Sequence, residues 1–257
     1  MEHPIAQLAS LQARLSGWSG GWNHPFAMNE VYDNQFHVDK TTVCIYGSSL
    51  IDHLATFAAT NPMEKGGINS QLNIPGIFCY WRGIPGLSLT RVWDESKNGI
   101  VSYNGMGAIN YARNSVRPDV GIFLWGGNDI DNGENWEAIT DLMLAFANVF
   151  HCVSYVLTIL PRPSPKFSDP EVFRERAEKV NKQLHYHLEE NRTHFPLIRR
   201  WKVTRFDDAG TVEPIQIFLD DGIHLHDNGN LRLYHNIRKA AIAGIKRFQE
   251  GVITVNH

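Results

Sequence analysis

The run Val120-Gly121-Ile122-Phe123-Leu124-Trp125 is apolar almost without interruption. A strand with one wetted face alternates apolar and polar residues, so a continuous apolar strand belongs in a sheet covered on both faces. Three other runs share this texture: Val43-Cys44-Ile45-Tyr46, Ile77-Phe78-Cys79-Tyr80-Trp81 and the segment Cys152–Leu160; Leu197-Ile198 is a short fifth candidate. Helical stretches fall between them. Leu50, Leu54 and Phe57 follow the first run at helical spacing, and a helix is expected near 135–149. Ser168 and Glu171 read as a capping box with Pro170 in the first turn, which starts a helix running to about Glu190. A last helix starts near Asn228, with Leu231, Tyr234, Ile237, Ala241, Ile245 and Phe248 along one stripe. Strand–helix alternation of this kind predicts an α/β fold with a central parallel sheet and helices on both faces.

The segment 41–250 shows no repeat and no linker, and is read as one domain. Residues 1–40 stand apart: Ile5, Leu8, Leu11 and Leu15 suit a short helix, and an irregular arm rich in Gly and aromatics follows over Trp18–Phe36. A further helical stretch is expected over 106–115, before Pro118. The N-terminus lacks the basic and apolar regions of a signal peptide. No run approaches the roughly 18 apolar residues that a membrane span needs. The three cysteines, Cys44, Cys79 and Cys152, each sit in an apolar run without a CxxC pair, which favours buried free thiols. A cytoplasmic protein is the expectation. A net charge of -3 gives no general attraction to nucleic acid or acidic membranes.

In open α/β sheets, ligands bind beyond the carboxyl ends of the strands. The polar punctuation of this chain falls at those ends. Gly47-Ser48-Ser49 follows the first strand, Gly83-Ile84-Pro85-Gly86 the second, and Gly126-Gly127-Asn128-Asp129 the third; Asp221-Gly222-Ile223-His224 precedes the last helix. A serine hydroxyl attacks an acyl carbon only when a base takes its proton. His224 suits that base, and Asp221 suits its orienting carboxylate. The oxyanion formed in acyl transfer needs fixed donors, for which the Ser49 N–H, the Gly86 N–H and the Asn128 amide are candidates.

These four blocks resemble those of the SGNH (GDSL-type) hydrolases, in order and approximate spacing, over about residues 41–248. A fainter similarity links Gly-Ser-Ser-Leu and DGIHLHDNGN to the SGNH domains of animal retroelement proteins. The resemblance implies a flavodoxin-like three-layer α/β/α fold and hydrolysis of esters or thioesters without metal or organic cofactor. By position it makes Ser49 the nucleophile, Gly86 and Asn128 oxyanion donors, and Asp221 and His224 the remaining catalytic pair. The family usually has Asp before the nucleophile; here Ser48 stands there, as a turn residue or an alternative nucleophile.

Other features have plainer readings. His226 is expected to face solvent rather than share a metal with His224. Asp52-His53 reads as helix surface or pocket rim. The basic segment Ile198–Arg205 reads as a solvated edge, diluted by Glu189, Glu190, Asp207 and Asp208. Trp81, Trp93, Trp125 and Trp136 suit the core better than an acyl pocket. The expected partner is a small-molecule or lipid-like acyl ester, with nucleic acid disfavoured. An acyltransferase, or a non-catalytic SGNH-like binding domain, would use the same residues differently. Oligomeric state is open, a homodimer included.

Overall fold

In a computed structural model, the described residues are 40–60, 68–89, 117–204, 206 and 217–251. The N-terminal helix and arm expected over 1–40, the helix expected at 106–115, Trp93 and Arg205 lie outside them.

The strands are β1 (Thr41–Gly47), β2 (Ile77–Gly83), β3 (Val120–Leu124), β4 (Val153–Leu157) and β5 (Ile198–Trp201). They form one sheet in the order β2-β1-β3-β4-β5, with every pair parallel. The helices are α1 (Ser49–Thr60), α2 (Gly127–Asp131), α3 (Trp136–Val149), α4 (Pro170–His185) and α5 (Asp227–Gln249).

Strand side chains alternate between faces, and each face has its own cover. Val43, Ile45, Ile122 and Leu124 pack with Leu50, Ile51 and Leu54 of α1 and with Leu233, Tyr234 and Ile237 of α5. Cys44, Tyr46, Phe123 and Trp125 pack with Ile139 and Met143 of α3 and with Phe173 and Val180 of α4. Because both faces are buried, β1 and β3 read as unbroken apolar runs. The result is the flavodoxin-like three-layer α/β/α arrangement, whose strand order reverses direction about β1 and β3. That switch point brings the residues after β1 and β3 side by side.

Several boundaries differ from the sequence expectation. The N-cap of α4 is Asp169, whose carboxylate accepts from Glu171 N and Val172 N; the Ser168 hydroxyl instead donates to Asp131. Strand β4 ends at Leu157 rather than Leu160, and the Ile159 backbone is satisfied at both N–H and C=O by the Asn181 side chain. Gly126–Asp129 is not simply a strand end: Gly126 takes a left-handed φ of 89° and α2 begins at the next residue. Beyond His185, α4 passes into a π turn over Tyr186–Glu190, inside the limit expected from sequence. The α5 stripe also includes Leu233 and Ala240, whereas Leu231, Ile245 and Phe248 are only partly buried.

All three cysteines are buried free thiols. Trp81 and Trp125 are core residues, and Trp136 packs against the core from outside. On the basic edge, Arg200 is paired to Glu189 and Arg199 donates to backbone carbonyls, which limits the charge left for a partner. The charged surface of α4 carries the pairs Glu171–Arg174 and Glu175–Lys179. No helix among the described residues is long and apolar enough to cross a membrane.

Candidate active site

Strand β1 runs into α1 through a turn that leaves no room for a side chain on its neighbour. The Ser48 N–H donates to Leu124 C=O of β3, and the Gly47 carbonyl accepts from Ile84 N at 2.9 Å. A Cβ on Gly83 would run into the Asp52 backbone, so α1 can start this close to β2 only because residue 83 is glycine. The Ser48 carbonyl accepts from Ile51 N and Asp52 N, which leaves Ser49 as the first residue of α1. Its N–H is one of the first-turn donors without a helical acceptor.

On the other side of the cleft, Asp221 organises the loop before α5. Its Oδ1 accepts from Ile223 N at 2.8 Å and His224 N at 2.9 Å, and its Oδ2 meets His224 Nδ1 at 2.6 Å. Burial alone would raise the Asp221 pKa; the hydrogen bonds from the His224 ring and from the two backbone N–H groups outweigh it and hold the carboxyl below its ordinary range. An ionised carboxylate only accepts, so Nδ1 carries the ring proton and Nε2 presents its lone pair. Nε2 lies 3.0 Å from Ser49 Oγ. The hydroxyl therefore donates to the imidazole, and Ser49, His224 and Asp221 form one hydrogen-bonded chain.

The oxyanion candidates lie at the ends of β2 and β3. Gly86 is exposed in a left-handed turn with φ 71°, and none of the described residues accepts its N–H. Asn128, on α2, donates from Nδ2 to the Leu87 carbonyl at 2.8 Å, which brings its amide next to Gly86 in the chain. Asp129, fully buried, accepts from the Ser88 hydroxyl at 2.6 Å and ties the same two segments together.

Ser48 faces elsewhere. It is 5% exposed and, with Trp125, Gly127, Ile159, Arg162 and Ile223, lines a cavity of about 20 Å³, room for one water-sized group. Among the described residues no hydrogen bond joins Ser48 to His224.

Three features were not recognised from sequence. His53, one turn beyond Ser49 on α1, stacks on His224 with ring centroids 4.4 Å apart and planes 23° from parallel; the sequence placed it only at the surface or rim. Arg162, in a segment that reads as an ordinary Pro-rich turn, is 7% exposed and donates to Asn128 Oδ1 at 2.8 Å. Asp131 holds Arg162 and three successive backbone N–H groups, those of Lys166, Phe167 and Ser168. A buried Arg and a buried Asp with complementary roles would have been the signal, but neither burial is visible in a single sequence. His226 is exposed at the start of α5, and its side chain makes no cap hydrogen bond. Among the described residues, no group of three or more His, Cys, Asp or Glu side chains is arranged to hold a metal ion.

Solved structures share this architecture. A protein from Slackia heliotrinireducens described as an SGNH hydrolase matches with a TM-score of 0.51 at 11% identity, over 79% of this chain and 100% of its own. The fold is that of the SGNH hydrolases. A Bacteroides fragilis protein described as an acylhydrolase matches with a TM-score of 0.54 at 13% identity, over 98% of this chain and 100% of its own. An Agrobacterium tumefaciens protein described as an arylesterase matches with a TM-score of 0.51 at 15% identity, over 79% and 99%. No family model and no curated protein matches the chain by sequence. In the SGNH fold seen here, Ser49 and Asn128 stand at the β1/β3 switch point, and the Asp221–His224 loop faces them from the start of α5.

Proposed function

We propose that the chain is a serine hydrolase of carboxylic esters or thioesters, working through an acyl-enzyme on Ser49. The observation that carries this reading is the chain Ser49 Oγ–His224 Nε2–Asp221, with contacts of 3.0 and 2.6 Å, at the carboxyl edge of the sheet. As Ser49 Oγ bonds to the acyl carbon, its proton passes to His224 Nε2. Asp221 stabilises the imidazolium that forms. The carbonyl electron pair moves onto oxygen, within reach of the Ser49 N–H, the Gly86 N–H and the free Asn128 Nδ2 proton. Collapse of this adduct breaks the ester C–O or thioester C–S bond, and His224 returns the proton to the leaving group. Water then attacks the acyl-enzyme by the same steps and releases the acid. The substrate class is an acyl ester of small-molecule or lipid-like type. Residues 41–250 act as one hydrolase unit in this proposal.

Turnover of p-nitrophenyl acetate tests the reading. Wild type should hydrolyse it with a burst of nitrophenol equal to the enzyme present, and His224→Ala should lose that activity. Full activity in His224→Ala would contradict the proposed base.

The pH dependence follows from the pair. Only a neutral imidazole can accept the Ser49 proton, so activity should be lost at acid pH. Asp221, held below the ordinary carboxylate value of about 3.9, stays ionised while that happens. Protonation of a single base should therefore give the acid limb of log kcat/KM a slope of one. A slope of two would mean that Asp221 protonates in the same range.

A further inference from the structure

The two ends of the Asn128 amide are held by partners of opposite kind. Nδ2 donates to the Leu87 carbonyl, and Oδ1 accepts from Arg162 Nη2, both at 2.8 Å. A carbonyl only accepts and a guanidinium only donates, so the amide has a single possible orientation. Leu87 uses one Nδ2 proton, leaving the other for an oxyanion.

Arg162 is itself fixed. Its Nη1 donates to Asp131 Oδ2 at 3.2 Å, and its guanidinium carbon lies 5.4 Å from the Phe173 ring centre. Asp131 is anchored in turn by the N–H groups of Lys166, Phe167 and Ser168 and by the Ser168 hydroxyl. Gly127 provides the space: a Cβ there would stand 3.0 Å from Arg162 Nη2. Neutralising Asp131 accounts for Nη1 of Arg162 but not for Nη2, which is turned to Asn128. A cation on an amide oxygen draws density from the nitrogen and makes its remaining N–H a stronger donor, and burial keeps water from screening that effect.

We propose that Arg162 is a positioning residue of the oxyanion hole, locking the Asn128 amide and polarising its free Nδ2–H toward the developing charge. This inference rests on the Ser49 acyl-enzyme reading. Among the described residues Arg162 makes no hydrogen bond to Ser49 or His224, and its hydrogen bond into the oxyanion hole is the one to Asn128.

A double-mutant cycle tests it, using kcat and KM for p-nitrophenyl acetate at a temperature where each variant is folded. Arg162→Met should lower kcat by about 10- to 100-fold with KM nearly unchanged, short of the roughly 10²- to 10³-fold expected for losing an oxyanion donor in Asn128→Ala. Combining the two should be no worse than Asn128→Ala alone, because Arg162 then has no amide to orient. Arg162→Lys, which keeps a donor but not the fork, should recover part of the loss. Gly127→Ala, which keeps Arg162 and crowds Nη2, should lower kcat several-fold, and it carries the test if Arg162→Met does not fold. Multiplicative losses in the double variant, or unchanged kcat in Gly127→Ala with a normal melting curve, would overturn the proposal. Absence of turnover and of fluorophosphonate labelling in wild type would instead refute the acyl-enzyme reading itself.

Discussion

Replacing Ser49 by alanine is expected to lower kcat for an activated ester by roughly 10⁴-fold or more, since removing the nucleophile leaves only binding and oxyanion stabilisation. Ser48→Ala should stay within about tenfold of wild type: Ser48 acts in the turn and the small cavity, and its contribution is to geometry rather than bond making. Circular dichroism should be unchanged in both variants, because neither hydroxyl holds a buried network together. The two serines adjoin, but only Ser49 Oγ lies within hydrogen-bond distance of His224 Nε2, at 3.0 Å. Loss of turnover confined to Ser48→Ala would reverse the assignment. It would require the β1–α1 turn to rotate by one residue, against the contacts from Leu124 and Ile84 that fix it.

The second large effect is on stability. Asp131→Ala should destabilise the fold by about 3–5 kcal/mol, the usual cost of leaving a buried partner charge uncompensated. For a chain of this size that is a fall in melting temperature on the order of 10 °C. The loss strands the Arg162 guanidinium and three backbone N–H groups that have Asp131 as acceptor. Burial acts to raise the Asp131 pKa, but the backbone donors, Arg162 and the Ser168 hydroxyl outweigh it, so the folded value lies below the ordinary one. The sign follows: the unfolded chain binds this proton at higher pH than the native state. Asp131 therefore adds stability above its unfolded value of about 3.9, and the contribution is lost as pH falls through the lower, folded value. Melting curves between pH 7 and pH 3 should show a smaller acid-induced drop in Asp131→Asn than in wild type. An Asp131→Ala variant that melts like wild type would show that the clamp contributes little.

Much of the frame was legible because its physics is local. Both faces of β1 and β3 are covered, so Val43–Tyr46 and Val120–Trp125 read as continuous apolar runs. The sites of polar chemistry interrupt those runs at one edge, which marked Gly86, Asn128, Asp221 and His224 as candidates; the choice of Ser49 over Ser48 rested on the resemblance to the SGNH hydrolases. What could not be read depends on contacts between distant residues. Ser168 and Asp169 are both chemically fit to cap α4; the capping-box spacing favours Ser168, but Asp131 takes its hydroxyl. Arg162 sits among prolines and resembles any exposed turn cation until Asp131 and Asn128, on the short helix α2, are seen to hold it. The stacking of His53 on His224 joins α1 to the loop before α5, and no periodicity in either segment signals it. Trp81 and Trp125, by contrast, were read as core rather than pocket, and the fold buries both.

Reaction with a fluorophosphonate, followed by intact-mass and tandem mass spectrometry, decides whether Ser49, activated by His224, is the nucleophile. The expected result is a single adduct on the Ser49 hydroxyl, absent in Ser49→Ala and formed far more slowly in His224→Ala. An adduct on Ser48, or wild-type protein that stays unlabelled while catalysing ester hydrolysis, would contradict it.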